Sequence, residues 1–131
     1  MRFGYFLSCE EYSPSQLVEQ AVAAEDAGFE ALWISDHYHP WNDEQGQSPL
    51  VWAVIGALSQ ACRLPVTTAV TCPTTRIHPA VVAQAAATAA VQLEGRFTSV
   101  SAPAKRSTST SSATRGPRST SAWRCSRRRP S

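Results

Sequence analysis

The last 34 residues of this 131-residue chain contain no acidic side chain. Residues 98–131 carry Lys105 and seven arginines, a net charge of +8, whereas residues 1–97 hold all ten acidic residues against four arginines, a net charge of −6. The overall charge of +2 therefore hides a sharp division of the chain. Because one folded domain seldom segregates its charges in this way, the composition indicates two parts of different character.

Long apolar runs and paired cysteines are missing as well. No segment approaches the roughly 20 apolar residues that span a bilayer, and Glu10 and Glu11 follow the N-terminal apolar residues too early for a signal peptide. The four cysteines form no C-x-x-C pair, so we interpret them as thiols rather than as a disulfide framework. These absences predict a cytoplasmic protein without membrane association.

Short apolar strands alternate with helical patterns along residues 1–97. Strand candidates begin at Arg2, Ala31, Val66 and Arg96, at intervals of about 30 residues. Strands that alternate with helices at this spacing indicate βα units on a parallel sheet. A parallel barrel needs eight such units and typically about 250 residues. The sequence therefore predicts an α/β fold that comprises the N-terminal three to four βα units of a (β/α)8 TIM barrel.

Capping residues mark the boundaries of the first predicted helix. Ser13 fits the N-cap position, Pro14 the first helical position and Gln16 the third residue of a capping box. Gly28 is the predicted end, because glycine tolerates the left-handed conformation that follows many helices.

The other helices and two tryptophans are assigned from the same kinds of signal. The second helix is predicted to begin at residues 48–49, Ser-Pro, and the third at His78 with Pro79. We interpret His78 as a helix cap rather than a catalytic group. Trp33 and Trp52 lie within apolar stretches and are predicted to be core residues.

The second strand runs directly into residues 35–41, Ser-Asp-His-Tyr-His-Pro-Trp. Catalytic groups of parallel barrels lie at the C-terminal ends of strands, and neutral imidazole can accept a proton near pH 7. His37 is therefore a candidate base, although the neighbouring Asp36 could equally be a strand-end acid that contacts backbone amides. A metal site on His37 and His39 would need further ligands, and His78 is the one other histidine, so no metal is predicted.

Three stretches match the pattern of a known family, namely residues 17–25 (LVEQAVAAE), Ser-Asp-His with Pro-Trp in residues 35–41, and residues 71–80 (TCPTTRIHPA). Together they resemble the luciferase-like oxidoreductases, and in particular the branch that uses the deazaflavin coenzyme F420. The resemblance covers residues 1–97. It implies a (β/α)8 barrel with the cofactor across its C-terminal mouth, hydride transfer to or from an alcohol carbon, and homodimers of the full-length protein. A sugar phosphate is one candidate for the small-molecule substrate.

The resemblance also assigns roles to single residues. Asp36 would contact the cofactor, and His37 would take the proton of the substrate hydroxyl as hydride leaves its carbon. Trp41 would shape the pocket over the reacting centre. A non-prolyl cis peptide of the family, which borders the cofactor, maps onto Ala69-Val70. Arg76 is a candidate for the cofactor phosphate, although a lone arginine is more often solvated or ion-paired.

The resemblance stops at Thr98, where serine, threonine, arginine, alanine and proline begin to dominate. When codons for this stretch are read one base out of frame, allowed wobble choices give Gly-Ser-Gly-Glu-Ala-Leu-Asn-Glu, the glycine loop of the family. We infer a one-base slip near Thr98, in the gene or in its sequencing. Residues 98–131 are then predicted to be a disordered tail, and the polypeptide as written is predicted to be catalytically inactive.

Two other functions remain open at this point. One is a monooxygenase of the wider luciferase-like class that uses flavin mononucleotide (FMN) in place of F420. The other is a non-catalytic protein whose basic tail binds nucleic acid through phosphate contacts. Apart from Trp123 the tail lacks aromatic residues, and charge alone gives non-specific affinity. No specific nucleic-acid partner is therefore predicted.

Overall fold

The structure is a computed structural model, and it describes residues 1–73 and 76–102. Four strands and three helices alternate along this part of the chain, as the repeat predicted. Of the tail predicted over residues 98–131, residues 98–101 belong to a strand rather than to a disordered segment, and residues from Pro103 onward lie outside the described residues. The elements are β1 (Gly4–Leu7), α1 (Pro14–Asp26), β2 (Ala31–Ile34), α2 (Val51–Ala61), β3 (Val66–Thr71), α3 (Pro79–Gln92) and β4 (Phe97–Ser101).

The strands form one parallel sheet in the order β1-β2-β3-β4, which confirms the predicted α/β class. Tyr5, Leu32, Val66 and Phe97 occupy one row across all four strands. Each helix connects two neighbouring parallel strands, so the carboxyl ends of all strands lie at the same edge of the sheet. This edge is where the sequence analysis predicts the candidate site residues.

The helices cover one face of the sheet, and the hydrophobic core lies between the helices and that face. Strand residues on this face alternate with residues on the other face, because side chains point to opposite sides along a strand. Helix α1 contributes one apolar stripe, and α2 contributes another. The core includes Leu7, Leu32, Ile34 and Val66 from the strands, Leu17, Ala21 and Ala24 from α1, and Val51, Val54, Ile55 and Leu58 from α2.

No described helix covers the other face of the sheet. Phe6 and Trp33, which are neighbours in the strand register, are 53% and 44% exposed there. The prediction that Trp33 is a core residue is therefore wrong. The alternation of β2 buries Leu32 and Ile34 against the helices and turns Trp33 to the opposite side. Trp52 does pack against the core, with its ring centroid 6.0 Å from that of Phe97.

Helix α1 begins and ends as the sequence predicted. The backbone amide of Gln16 donates to Ser13 Oγ at 3.5 Å, and the backbone amide of Ser13 donates to Gln16 Oε1 at 3.0 Å. This reciprocal pair is a capping box. Gly28 has a φ of 85°, the left-handed conformation that ends helices at low cost for glycine.

The starts of the other two helices differ in how well they were predicted. Helix α2 begins at Val51, two residues after the predicted pair 48–49, because Ser48 is engaged elsewhere. Its hydroxyl donates to the backbone carbonyls of His37 and Tyr38 instead of capping the helix. At α3, Nδ1 of His78 accepts a hydrogen bond from the Ala80 amide at 3.2 Å, which confirms the capping interpretation.

None of the helices in the described part of the chain has both the length and the apolar character needed to cross a bilayer.

Candidate active site at the strand ends

Residues that follow β1, β2 and β3 meet at the carboxyl edge of the sheet. Glu10 follows β1, and Asp36 with His37 follows β2. The peptide bond between Ala69 and Val70, within β3, is cis, at the position that the family resemblance indicated. Adjacent parallel strands end side by side, so segments far apart in sequence form one cluster.

The centre of the cluster is an acid–imidazole pair. Nδ1 of His37 lies 2.5 Å from Oε1 of Glu10. The Glu10 side chain is 4% exposed, whereas that of His37 is 33% exposed. The carboxylate is thus enclosed by the protein, and the imidazole is the more accessible of the two groups.

Hydroxyl groups hold the other oxygen of the Glu10 carboxylate. Ser35 Oγ donates to Oε2 at 2.8 Å, and Ser8 Oγ donates to the same atom at 3.1 Å. Ser35 Oγ also accepts the backbone amide of Cys9 at 2.8 Å, which links the end of β1 to the end of β2. The Glu10 side chain is therefore fixed by contacts on both oxygens.

These contacts lower the pKa of Glu10. Burial by itself acts to raise the pKa, because a buried carboxylate loses its hydration. Hydrogen bonds from Ser35, from the backbone of Glu10, from His37 and from Ser8 outweigh burial, and the pKa falls below its ordinary value of 4.5. Glu10 is consequently ionised at neutral pH.

An ionised Glu10 determines how the imidazole of His37 can act. A carboxylate can only accept, so Nδ1 of His37 must carry the proton of the bond between them. In neutral His37, Nε2 is then the acceptor nitrogen. The pair therefore presents a proton acceptor at Nε2, with a negative charge behind the ring to stabilise the protonated form.

Trp41 lies against this imidazole. The ring centroids of His37 and Trp41 are 5.0 Å apart with an interplanar angle of 75°, an edge-to-face arrangement. Trp41 is 76% exposed, so most of its indole surface faces outward from the loop after β2. The two bonds from Ser48 to the carbonyls of His37 and Tyr38 tie this loop to the segment before α2.

Only one of the two carboxylate oxygens of Asp36 has a partner among the described residues. Its Oδ1 forms an ion pair with Nη2 of Arg76, which comes from the loop between β3 and α3. The Asp36 side chain is 1% exposed, and Oδ2 is buried without a hydrogen-bond partner. A buried carboxylate oxygen without a donor is costly.

The hydroxyl Oγ1 of Thr71, at the end of β3, is a second buried atom without a partner. It directly follows the cis bond between Ala69 and Val70, whose side chains are half-buried. The end of β3 therefore carries a buried hydroxyl that no described group satisfies.

Cys9 is close to the cluster but is unsuited to be a nucleophile. The thiol is 1% exposed, and burial raises its pKa to about 12. Thiolate is the reactive form, and very little forms at neutral pH with such a pKa. In the described residues no group of three or more histidine, cysteine or acidic side chains is arranged to hold a metal ion.

Sequence reasoning missed Glu10 as a site residue. The signal was available, because Glu10 lies three residues after the end of β1 and the strand-end rule applies to every strand of a parallel sheet. Its partner His37 is 27 residues away, and nothing local in the sequence indicates that contact. The structure brings His37, Asp36, Trp41 and Arg76 to one edge; their roles toward a ligand stay predictions.

Comparison with known proteins assigns the family. The model of the luciferase-like monooxygenases matches residues 1–100. The chain belongs to this family. Among curated relatives it is 46% identical over 100 residues to the F420-dependent glucose-6-phosphate dehydrogenase of Nakamurella multipartita. It is 43% identical over 98 residues to the enzyme of the same name from Mycobacterium avium. Each alignment covers 74% of this chain and 29% of the relative.

Solved structures of F420-dependent enzymes also resemble the chain. An F420-dependent secondary alcohol dehydrogenase in complex with an F420–acetone adduct superposes with a TM-score of 0.72 at 42% identity, over 76% of this chain and 31% of that one. The coenzyme F420-dependent tetrahydromethanopterin reductase of Methanopyrus kandleri gives 0.65 at 27% identity, over 79% and 27%. The chain thus spans about three-tenths of the length of the proteins it matches.

Proposed function

We propose that the strand-end cluster belongs to an F420-dependent oxidoreductase that transfers a hydride between an alcohol carbon and the deazaflavin. The observation that carries this proposal is the contact between Glu10 and His37 next to Asp36, which has one carboxylate oxygen without a hydrogen-bond partner. Relatives and solved structures named for F420 chemistry support it. A base for the hydroxyl proton and a polar contact for the cofactor are the two things that such a reaction needs from this edge.

The residues present fit a deazaflavin ring. Oδ2 of Asp36 is an acceptor without a donor, and a deazaflavin carries ring N–H and O–H groups that can donate to it. Trp41 adds exposed aromatic surface. Asp36, Ala69 and Val70 would hold the ring, and Arg76 would pair with Asp36 or contact cofactor phosphate. When bound, the cofactor supplies a carbon that accepts or donates hydride.

The role of His37 follows from its environment. Nε2 takes the proton from the substrate hydroxyl, which leaves electron density on the oxygen as the C–H bond breaks. The protonated imidazole is then stabilised by the Glu10 carboxylate 2.5 Å from Nδ1. Trp41 lies beside His37 and excludes water from one side of the base. A positioned base of this kind typically contributes about 10²–10⁴-fold in rate.

We further propose that a sugar phosphate is among the substrates and that the polypeptide as written turns over none. The sequence after Thr98 departs from the family text, including its glycine loop, and residues 98–131 contain no acid that could serve as a proton donor. In a frame-corrected polypeptide, we expect His37→Asn to lower kcat/KM by about 10²-fold or more. Coding DNA that does not re-read to the glycine loop would contradict the frame-slip part of the proposal.

Cofactor binding by the 131-residue chain is the direct test. Fluorescence titrations with F420 and with FMN should show binding of F420 and much weaker binding of FMN. Asp36→Asn should weaken F420 binding by about tenfold, because a hydrogen bond to a charged acceptor contributes roughly 1.5–3 kcal/mol, whereas one to a neutral amide contributes about 0.5–1.5 kcal/mol. Asp43→Asn, an exposed loop acid, is the matched control. Circular dichroism establishes that each variant is folded.

The outcomes separate the candidate functions. Tighter binding of FMN than of F420 would favour the monooxygenase alternative. Equal F420 affinity in wild type and Asp36→Asn would reject the role given to Asp36. Absence of binding to either cofactor, with a folded chain, would remove the support for a cofactor site at this edge.

A further inference from the structure

Ser35 connects the end of β2 to the end of β1. It directly follows β2 and is 1% exposed. Its backbone amide donates to the carbonyl of Leu7 at 3.2 Å, and its hydroxyl contacts the backbone of Cys9 and the side chain of Glu10. One small side chain thus joins two strand ends that lie 25–28 residues apart in sequence.

The surroundings of the Ser35 hydroxyl decide where its proton points. Oγ accepts the backbone amide of Cys9 at 2.8 Å, which leaves the hydroxyl proton to be donated. Two acceptors lie within reach, namely Oε2 of Glu10 at 2.8 Å and the carbonyl oxygen of Leu7 at 3.4 Å. A serine hydroxyl carries one proton, and a hydrogen bond to a charged acceptor is the shorter and stronger kind. The proton therefore points to Glu10.

This hydrogen bond restrains the Glu10 carboxylate. While Ser35 holds Oε2, Oε1 lies 2.5 Å from Nδ1 of His37. Burial acts to raise the pKa of Glu10, and the bond from Ser35 is the largest of those that nevertheless lower it. Ser8 donates to the same oxygen at 3.1 Å, but its side chain is half-buried and two residues away along the chain. Ser35 is thus the main restraint on the carboxylate that contacts the imidazole.

We propose that Ser35 is a positioning residue that keeps His37 in the tautomer with its proton on Nδ1 and its lone pair on Nε2. The hydrogen bond at one ring nitrogen sets which nitrogen carries the proton, and a carboxylate fixed at Nδ1 selects this tautomer. A carboxylate that is free to turn loses its contact with Nδ1 part of the time. The proton can then occupy Nε2, where the ring no longer accepts.

Ser35 acts on hydride transfer only through His37, so its catalytic consequence rests on the proposed function of the site. In the wrong tautomer Nε2 cannot take the proton of a substrate hydroxyl. The tautomer itself is a property of the protein without cofactor or substrate. It can therefore be measured whether or not the site performs the proposed reaction.

A role of Ser35 in stability alone predicts a different result. Loss of the hydroxyl leaves the buried amide of Cys9 without its acceptor, which lowers stability in either case. If Ser35 only links the two strand ends, the ring of His37 stays as it is in wild type. The tautomer of His37, and not the stability of the chain, distinguishes the two roles.

Nitrogen NMR of the full 131-residue chain, labelled in its histidines, tests the proposal. At a pH where His37 is neutral, wild type should show a protonated Nδ1 and an unprotonated Nε2 with well-separated shifts. Ser35→Ala should move the two shifts toward each other, because both tautomers become populated. Ser35→Thr keeps the hydroxyl and should restore the wild-type separation.

Ser59→Ala is the matched control. Ser59 is 9% exposed, and its hydroxyl donates to the Gly56 carbonyl within α2 at 2.7 Å. The variant loses a buried serine hydroxyl that has no contact with Glu10, so the shifts of His37 should stay at their wild-type values. Unchanged shifts in folded Ser35→Ala, or an equal change in Ser59→Ala, would overturn the proposal.

A second measurement covers the case in which Ser35→Ala fails to fold. In wild type, the hydroxyl proton of Ser35 should exchange with water slowly enough to give its own proton resonance, as expected of a buried donor to a carboxylate. Fast exchange of this proton, or a neutral His37 protonated on Nε2, would overturn the proposal. A tautomer change in Ser35→Ala without any binding of F420 to wild type would reject the proposed function and keep the role of Ser35.

Discussion

Glu10 and Asp36 are two buried carboxylates at the same edge of the sheet, and they differ in how they are satisfied. Glu10 receives hydrogen bonds on both oxygens, from His37 on one and from Ser35 and Ser8 on the other. Asp36 pairs through one oxygen with Arg76, and its second oxygen has no partner. The protein supplies hydrogen-bond partners for both oxygens of Glu10 but for only one oxygen of Asp36.

The contacts of each carboxylate limit what that group can do. A carboxylate whose oxygens are both bound is held in one orientation and can orient the imidazole it contacts. A buried oxygen without a donor raises the free energy of the unliganded protein. A ligand that supplies a donor removes this cost, so the unpaired oxygen favours binding of such a ligand. Glu10 is therefore a positioning residue for His37 in our proposal, and Asp36 is a ligand contact.

The largest effect should come from removal of the partner of Asp36. Arg76→Met leaves a carboxylate that is 1% exposed without its cation, and this should lower the free energy of unfolding by about 3 kcal/mol. The double variant Asp36→Asn with Arg76→Met should recover most of the loss, because no buried charge is left. Urea unfolding measures both.

Arg2→Met serves as the control for that prediction, because the pair of Arg2 with Glu30 is largely exposed. It should change stability little. Equal stability of Arg76→Met and wild type would show that Asp36 finds other solvation and would remove the contrast between the two carboxylates.

A smaller loss is expected when Glu10 becomes neutral. Glu10→Gln keeps the size of the side chain but removes the charge that accepts from Ser35 and His37, at a cost of about 2 kcal/mol in unfolding free energy. Nitrogen NMR should also report a change at Nδ1 of His37, since the ring loses its anionic acceptor. Glu19→Gln, an exposed acid of α1, is the matched control and should show neither change.

The smallest effect is the pH dependence of that loss. The folded-state pKa of Glu10 lies below its ordinary 4.5, despite burial, because hydrogen bonds outweigh the loss of hydration. Its contribution to stability is therefore present above about pH 4.5 and disappears as pH falls through the lower folded pKa. The stability difference between wild type and Glu10→Gln should shrink over this window. A difference that is constant between pH 7 and pH 3 would contradict it.

The predictable parts of the fold were those with local causes. Three features depend on neighbours within a few residues, so they were predictable from the sequence. They are the capping box of Ser13 and Gln16, the left-handed conformation of Gly28 and the helix cap at His78. Helix α2 was predicted two residues early, because the hydroxyl of Ser48 bonds to the loop after β2 rather than to its own helix.

The candidate site was likewise predicted only in part. The rule that active residues follow parallel strands placed His37 and Asp36 from sequence alone. Glu10 obeys the same rule but was overlooked, because an acid after a short strand looks like an ordinary surface residue until its partner is known. Trp33 was assigned to the core, because a four-residue apolar strand does not reveal which of its faces is covered.

Local periodicity and capping chemistry are enough to predict the alternation of strands and helices, the helix caps and the position of the imidazole at a strand end. The contacts of His37 with Glu10, 27 residues away, and of Asp36 with Arg76, 40 residues away, depend on the folded sheet. Parallel pairing sets the ends of successive strands side by side and so joins groups that the chain separates.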